Sequence, residues 1–298
     1  LLALRGPDEA GSLLPSSTKP SESPPGFGGF ALGRPYSSFP MKNTRSFLFA
    51  GLLAGFVLLA AARAAAPAPT GPIPDASAAI EKNDPSGRFR KMHDSFLVRG
   101  KAGPVGVLFI GDSITQGWTR APHVWEQYYG QWQPANFGIG GDQTQHVIWR
   151  LENGELDGLT PKVAVLMLGT NNTRTHNASQ IAAANRKIVG MIRAKIPGVK
   201  VLVLAVFPRG PRPEKDGSIT ADAVAQATRQ MDIINAVNAE LAQLDDGKEV
   251  RFLDINRVFL GQDGKIPYSI MPDQLHPNAA GYQLWADAMH PTLTALMK

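Results

Sequence analysis

The chain has no cysteine among its 298 residues. Without a thiol it can form neither a disulfide nor a thiolate metal site, and covalent catalysis must use another nucleophile. A phosphate-binding loop of the type G-x-x-x-x-G-K-[ST] and internal repeats are also absent. Gly138 and Gly140 match the start of a G-x-G-x-x-G fingerprint, but its third position is Gln143. These absences argue against a nucleotide-binding domain.

No apolar run is long enough to cross a bilayer comfortably, since Phe47–Ala62 has sixteen residues and a spanning helix needs about 20. This run follows Met41 and two basic residues and ends in the small-x-small sequence Ala62-Arg63-Ala64. The pattern predicts a secretory signal peptide over residues 41–64, cleaved near Ala64. We therefore expect an exported protein, periplasmic or secreted, with no stable membrane anchor after cleavage. A transmembrane anchor is the alternative.

The remaining organisation follows from composition. Residues 1–40 are rich in Pro, Ser and Gly and show no periodicity, so we expect them to be disordered or untranslated. Residues 65–84 begin with an Ala/Pro-rich stretch and are predicted to be a linker. A single folded domain is expected over residues 85–298.

The net positive charge is small in the part of the chain that follows residue 64. The chain carries +5, but residues 1–64 hold six basic and three acidic side chains, which leaves 24 basic and 22 acidic ones and a net charge of +2 in the remainder. This balance gives no support for a nucleic-acid partner.

Apolar, β-type runs alternate with segments of helical periodicity. Strands are predicted from Val107 and at Ala135–Ile139, Val163–Leu168, Val199–Phe207 and Val250–Ile255. Helices are predicted at Gln143–Leu151, Ser179–Lys195, Ala221–Leu244 and Asn278–Met289. The alternation predicts an α/β fold, a flavodoxin-like three-layer α/β/α sandwich with about five parallel strands. Ligands bind such sheets beyond the carboxyl ends of the strands.

A serine follows the first predicted strand, in Gly111-Asp112-Ser113, and Asp273-Gln274-Leu275-His276 lies near the end of the chain. Acyl transfer to serine needs a base and a group that orients the base. We therefore assign Ser113 as nucleophile, His276 as base and Asp273 as the orienting carboxylate. Ser113 as a simple helix cap and Asp273 as a turn residue are the structural alternatives.

The oxyanion of such a reaction needs hydrogen-bond donors. The backbone N–H groups of Ser113 and Gly141 and the side-chain amide of Asn171 are the candidates, with Asn172 competing for the last role. No metal ion or other cofactor is expected, and the partner is an ester substrate, a small molecule or a carbohydrate. Sequence does not decide the oligomeric state.

Charged residues near these motifs are expected to be structural. Asp142 is predicted to cap the following helix, with Gln145 at the capping-box position. Arg150 and Arg209 are predicted to form structural ion pairs. The elbow of a classical α/β-hydrolase, G-x-S-x-G, is excluded because its last position is Thr115. A carbohydrate-binding or scaffold protein on an esterase fold remains the non-enzyme alternative.

Four blocks in order, Gly-Asp-Ser, a glycine at 141, Gly-x-Asn at 169–171 and Asp-x-x-His at 273–276, resemble the SGNH hydrolases, also called GDSL esterases/lipases. Within them, Asn136–Asp142, Trp149–Leu156 and Phe207–Gly210 are similar to the catalytic subunits of intracellular platelet-activating-factor acetylhydrolase. The resemblance implies the fold and site residues given above. It also implies that Ile114 and Leu275 bind substrate by closing a small acyl pocket.

A small acyl pocket implies esters of acetyl or another short acyl group. Because the protein is expected to be exported, an O-acetylated carbohydrate is the first choice of substrate. A lysophospholipase or an acetylhydrolase acting on platelet-activating-factor-like lipids is the alternative.

Overall fold

The computed structural model describes residues 74–298. The predicted signal peptide, its cleavage site and residues 1–40 lie outside the described residues, and the predicted linker at 65–84 is described only from residue 74. Among residues 74–298, no helix has both the length and the apolar character that crossing a membrane requires.

The described part alternates strands and helices. The strands are β1 Val107–Gly111, β2 Ala135–Gly138, β3 Val163–Met167, β4 Lys200–Leu204 and β5 Val250–Leu253. The helices are α1 Arg88–Lys101, α2 Ser113–Gln116, α3 Pro122–Tyr129, α4 Thr144–Glu152, α5 Ala178–Lys195, α6 Ala221–Leu241 and α7 Ala279–Leu296. Short 3₁₀ turns follow β3 and β5, at Thr170–Arg174 and Asn256–Phe259.

The five strands form one parallel sheet in the order β2-β1-β3-β4-β5. The chain runs from β1 outward to β2 and then returns to place β3 on the other side of β1. The crevice at this reversal, beyond the carboxyl ends of β1 and β3, is where open parallel sheets bind ligands. The prediction of a three-layer α/β/α fold with about five parallel strands is confirmed.

Helices cover both faces of the sheet, so the central strands are apolar throughout. Leu108 and Ile110 of β1 join the core under α1, α4, α5 and α6. Val107 and Phe109 point the other way, into the core formed with α3 and α7. Every residue of β1 and β3 is buried, which fixes the end of β1 and therefore the position of the serine that follows it.

Several element boundaries differ from the predictions. Helices α1 and α3 were not predicted, and α7 runs to Leu296 although Pro291 lies inside it, because Leu293 and Leu296 are buried in the core. The strand predicted to reach Phe207 leaves the ladder at Leu204, although Ala205 N still donates to Leu253 O at 3.0 Å. Helix α5, predicted from Ser179, begins at Ala178 and is capped by Asn177.

Residues 74–84 pack against the rest of the described chain. Ala76 is fully buried in the core, and its carbonyl accepts from Thr144 Oγ1 at 2.8 Å. Ile80 N donates to Gln145 O at 3.2 Å. This part of the predicted linker therefore contributes contacts to the folded domain.

Candidate active site

The turn after β1 presents Ser113 at the start of α2. Asp112 caps this helix, since its Oδ1 accepts from Ile114 N at 2.9 Å. Gly111 and Gly138 lie so close to this turn that neither could carry a side chain. A Cβ on Gly111 would lie 2.1 Å from Thr115 Oγ1, and one on Gly138 would lie 2.2 Å from Gln116 N. Close packing around a partly exposed serine therefore holds its hydroxyl in one place.

Ser113, His276 and Asp273 form a continuous hydrogen-bonded chain. His276 Nδ1 lies 2.6 Å from Asp273 Oδ2, and His276 Nε2 lies 2.8 Å from Ser113 Oγ. Because a carboxylate only accepts, Nδ1 carries the proton and Nε2 is left to accept from the hydroxyl. This is the geometry that a serine nucleophile and its base require.

Asp273 is held in its charged form. Burial works to raise the pKa of this carboxyl, but the hydrogen bonds and charge of His276, together with the Leu275 amide, outweigh burial and hold the pKa well below its ordinary range. Its Oδ1 accepts from His276 N at 2.8 Å and from Leu275 N at 3.2 Å. The carboxylate therefore orients the imidazole at any pH near neutrality.

The loop that carries His276 is fixed at both ends. Gln274 takes the left-handed conformation with φ 60°, is buried, and donates through Nε2 to Ile266 O at 3.1 Å. Asn278 then caps α7, where Oδ1 accepts from Gly281 N at 3.2 Å. Tyr282, on the same helix, donates to Ile114 O at 2.6 Å. Helix α7 is thus joined directly to the helix that carries the serine.

The loops after β2 and β3 bring the predicted oxyanion donors to the same edge. Gly141 has φ 76°, a conformation that favours glycine. Asn171 Nδ2 donates to Asp142 O at 2.9 Å and lies 3.3 Å from Asp112 Oδ2. Asn172 points elsewhere, since its Oδ1 accepts from Thr144 N at 3.0 Å. The structure therefore brings Asn171, and not Asn172, to the serine turn.

A network of buried charged side chains lies next to the Gly140–Gly141 turn. Asp142 does not cap α4, where Gln143 is the N-cap; instead its Oδ2 lies 3.1 Å from Arg150 Nε. Arg150 also donates through Nη1 to Glu155 at 2.6 Å, so its predicted structural ion pair is present. Burial raises the pKa of Asp142 to about 6, against the lowering effect of Arg150 and Lys82.

Lys82 completes this network and is the residue that sequence reasoning missed. Its Nζ donates to Gly140 O at 2.5 Å and lies 3.4 Å from Asp142 Oδ1. A Cβ on Gly141 would lie 3.0 Å from the same Nζ. The lysine belongs to a segment predicted to be a linker, so no local pattern marks it.

Asp112 is a second buried carboxyl beside the serine. Burial raises its pKa to about 7, with Asp142 adding repulsion and the Ile114 N–H opposing it. The predicted acyl-pocket residues flank this turn and the base: Ile114 is fully buried in the core, whereas Leu275 is partly exposed. Trp118, near the serine in sequence, belongs to the buried core.

Comparisons with known proteins agree with this geometry. The sequence profile described as "GDSL-like Lipase/Acylhydrolase family" matches residues 109–284. The rat platelet-activating factor acetylhydrolase IB subunit alpha1 is 36% identical over 211 residues, which cover 71% of this chain and 84% of that protein. The rat alpha2 subunit is 33% identical over 226 residues, or 76% of this chain and 91% of that protein.

Solved structures show the same fold. A protein from Streptococcus pneumonia superimposes with a TM-score of 0.56 at 21% identity, covering 68% of this chain and 92% of its own. A GDSL-like lipase from Bacteroides thetaiotaomicron gives a TM-score of 0.54 at 17% identity, covering 68% and 97%.

Proposed function

Because the chain belongs to the GDSL-like Lipase/Acylhydrolase family and is an ester-hydrolysing enzyme, we propose that it removes short acyl groups, acetyl above all, through a Ser113–His276–Asp273 triad. The observation that supports the triad most directly is the pair of contacts made by His276, 2.8 Å to Ser113 Oγ and 2.6 Å to Asp273 Oδ2. A scaffold without activity, the non-enzyme alternative, is set aside by the family assignment.

Acylation starts when Ser113 Oγ bonds to the acyl carbon and its proton moves to His276 Nε2. The carbonyl oxygen becomes an oxyanion, for which the N–H groups of Ser113 and Gly141 and the amide of Asn171 are the donors. When the adduct collapses, the bond to the alcohol oxygen breaks and that oxygen takes the proton from Nε2. The acyl group stays on Oγ.

Deacylation repeats these steps with water. Water attacks the acyl carbon and passes its proton to His276 Nε2. Release of the carboxylic acid breaks the bond to Ser113 and returns the proton to Oγ. Asp273 remains charged throughout and stabilises the imidazolium that forms twice in each turnover.

The acyl preference rests on the residues beside the nucleophile and base. Ile114 and Leu275 are bulky; Ile114 is fully buried and Leu275 is partly exposed. Release of p-nitrophenol from acetate, butyrate and octanoate esters tests this preference, with Ser113→Ala as the control for background hydrolysis. Acetate should react fastest and EDTA should leave its rate unchanged, whereas faster octanoate turnover would contradict the short-acyl proposal.

The alcohol of the natural substrate is proposed to be a carbohydrate, since the predicted signal peptide implies export. Acetylated xylan and acetylated sialic acid, assayed beside lysophospholipid, test the choice. A lipid ester is the second candidate, favoured by the 36% identity to an acetylhydrolase subunit named for platelet-activating factor. Export itself is tested by sequencing the N-terminus of the mature protein, which should begin just after Ala64.

A further inference from the structure

Arg209 differs from Arg150 in having no carboxylate in contact with it among residues 74–298. The guanidinium of Arg150 contacts two carboxylates. Within residues 74–298, no carboxylate oxygen lies within 4.0 Å of Arg209, and its buried Nε has no hydrogen-bond partner. The ion pair predicted for Arg209 is therefore absent among the described residues. A largely buried cation is normally paired, because desolvating it without a partner is costly.

Arg209 also lies at the catalytic edge of the sheet. Its Nη1 donates to Thr170 Oγ1 at 3.4 Å, and Thr170 precedes the proposed oxyanion donor Asn171. The next residue, Gly210, donates through its N–H to Gln274 O at 2.8 Å, inside the loop of the proposed acid and base. The guanidinium thus contacts the loop after β3, and the backbone next to Arg209 is bonded to the loop that carries His276.

Two more cations reinforce the positive charge there. Arg174 and Arg212 are exposed, and neither has a carboxylate within 4.0 Å in the described part of the chain. Burial first, and then repulsion by these two arginines, lower the pKa of Arg209 to about 10, while Asp273 and Asp112 oppose the shift from farther away. Arg209 is therefore still charged at neutral pH.

A cavity opens beside the guanidinium. It has a volume of about 720 Å³, and its wall includes Arg209, Met231, Ile266, Tyr268 and Gln274. This volume suits a small organic ligand. Tyr268 and Ile219, which also line it, are among the few large apolar side chains that are exposed. Lys265 and Asp232 also line the cavity, so its charged groups are two cations and one carboxylate in an otherwise mainly apolar wall.

We propose that Arg209 is an anion-binding subsite for the alcohol part of the substrate, so that the enzyme favours short-acyl esters whose alcohol carries a carboxylate or a phosphate. This inference rests on the proposed function. A planar guanidinium with free N–H groups binds either anion through two hydrogen bonds. An acidic sugar and a phospholipid both carry such an anion.

The test compares two esters that differ by one charge, 4-acetoxybenzoate and its neutral methyl ester. The wild-type kcat/KM should favour the anion, and Arg209→Met should lower the ratio of the two values by about tenfold to a hundredfold, the worth of a charge-assisted hydrogen bond. Arg186→Met is the matched control, since Arg186 is exposed on α5 away from the site. It should leave the ratio unchanged.

Further measurements keep the proposal testable if Arg209→Met does not fold. Inorganic phosphate should inhibit wild-type hydrolysis of the neutral ester competitively, and Arg209→Lys should weaken that inhibition, because lysine cannot form the paired hydrogen bonds. 4-Acetoxyphenyl phosphate beside 4-acetoxybenzoate then separates phosphate from carboxylate as the preferred anion.

The outcomes distinguish the subsite from the reaction. Equal kcat/KM for the charged and neutral esters, with both rates lost in Ser113→Ala, would overturn the subsite and leave the proposed function standing. No hydrolysis of either ester would overturn both. A ratio that is unchanged in Arg209→Met would also reject the subsite.

Discussion

Replacing Lys82 with methionine should slow ester hydrolysis about tenfold while leaving KM nearly unchanged. The ammonium of Lys82 holds Gly140 O at 2.5 Å and shares Asp142 with Arg150. Methionine keeps most of the volume but removes the charge and the donor. The Gly140–Gly141 turn then loses one of the contacts that orient the proposed Gly141 N–H donor and keeps the bond from Gly140 N to Gln116 Oε1 at 2.9 Å.

The magnitude follows from the contacts. A hydrogen bond from a charged group contributes about 1.5–3 kcal/mol. The Lys82 side chain is 20% exposed and Arg150 still neutralises Asp142, so the lower end, about 1.5 kcal/mol, applies to the free energy of unfolding. Deleting an oxyanion donor outright costs about 10²–10³ in kcat. Lys82→Met leaves the Gly141 N–H in place but less well oriented. We therefore expect a smaller fall in kcat, about tenfold.

The assay is steady-state hydrolysis of p-nitrophenyl acetate, with kcat expressed per folded active site after titration with an organophosphate. Urea unfolding measures stability in the same samples. Lys91→Met is the control, because Lys91 is exposed on the neighbouring α1. Lys82→Arg keeps the charge and should recover part of kcat. A wild-type kcat per active site in Lys82→Met would refute the positioning role.

Three further predictions follow from the same site. Asp273→Asn should reduce kcat less than His276→Ala, because the carboxylate orients the base without touching substrate; equal losses in steady-state assays would contradict this. Since the pKa of Asp273 is depressed, its contribution to stability should be complete above about pH 4 and lost below it, an acid-side loss that Asp273→Asn should lack in pH-dependent urea melts. Gly141→Ala should destabilise the protein by about 1–2 kcal/mol, because φ 76° is costly for alanine, and should lower kcat more than it raises KM; an unchanged kcat would contradict the role of this turn.

The fold was predictable because the strands can be recognised in the sequence as apolar runs. β1 and β3 are apolar at every position, and each ends at a polar or glycine-containing motif. Once the sheet is parallel, these ends lie at one edge, so Ser113, Gly141 and Asn171 converge without further information. The loop at 273–276 joins them because α7, which follows it, is bonded to α2 through Tyr282 and Ile114.

The features that the sequence did not predict depend on contacts between distant residues, which no local pattern encodes. α1 buries only Phe89, His93 and Phe96 along its 14 residues, too weak an apolar face to stand out in a charged segment. Lys82 reaches Gly140 across 58 positions. Arg209 and Arg150 look alike in sequence, yet only Arg150 has carboxylates beside it, because its helix starts next to Asp142.

Covalent labelling of Ser113 tests the central claim most directly. A fluorophosphonate should add one equivalent to the protein, and mass spectrometry of its peptides should place the adduct on Ser113. Labelling should be lost in Ser113→Ala and slowed strongly in His276→Ala, in parallel with a fall in kcat of about 10³ to 10⁶ for the serine variant. An adduct that forms equally well in Ser113→Ala, or full esterase activity in that variant, would contradict the account.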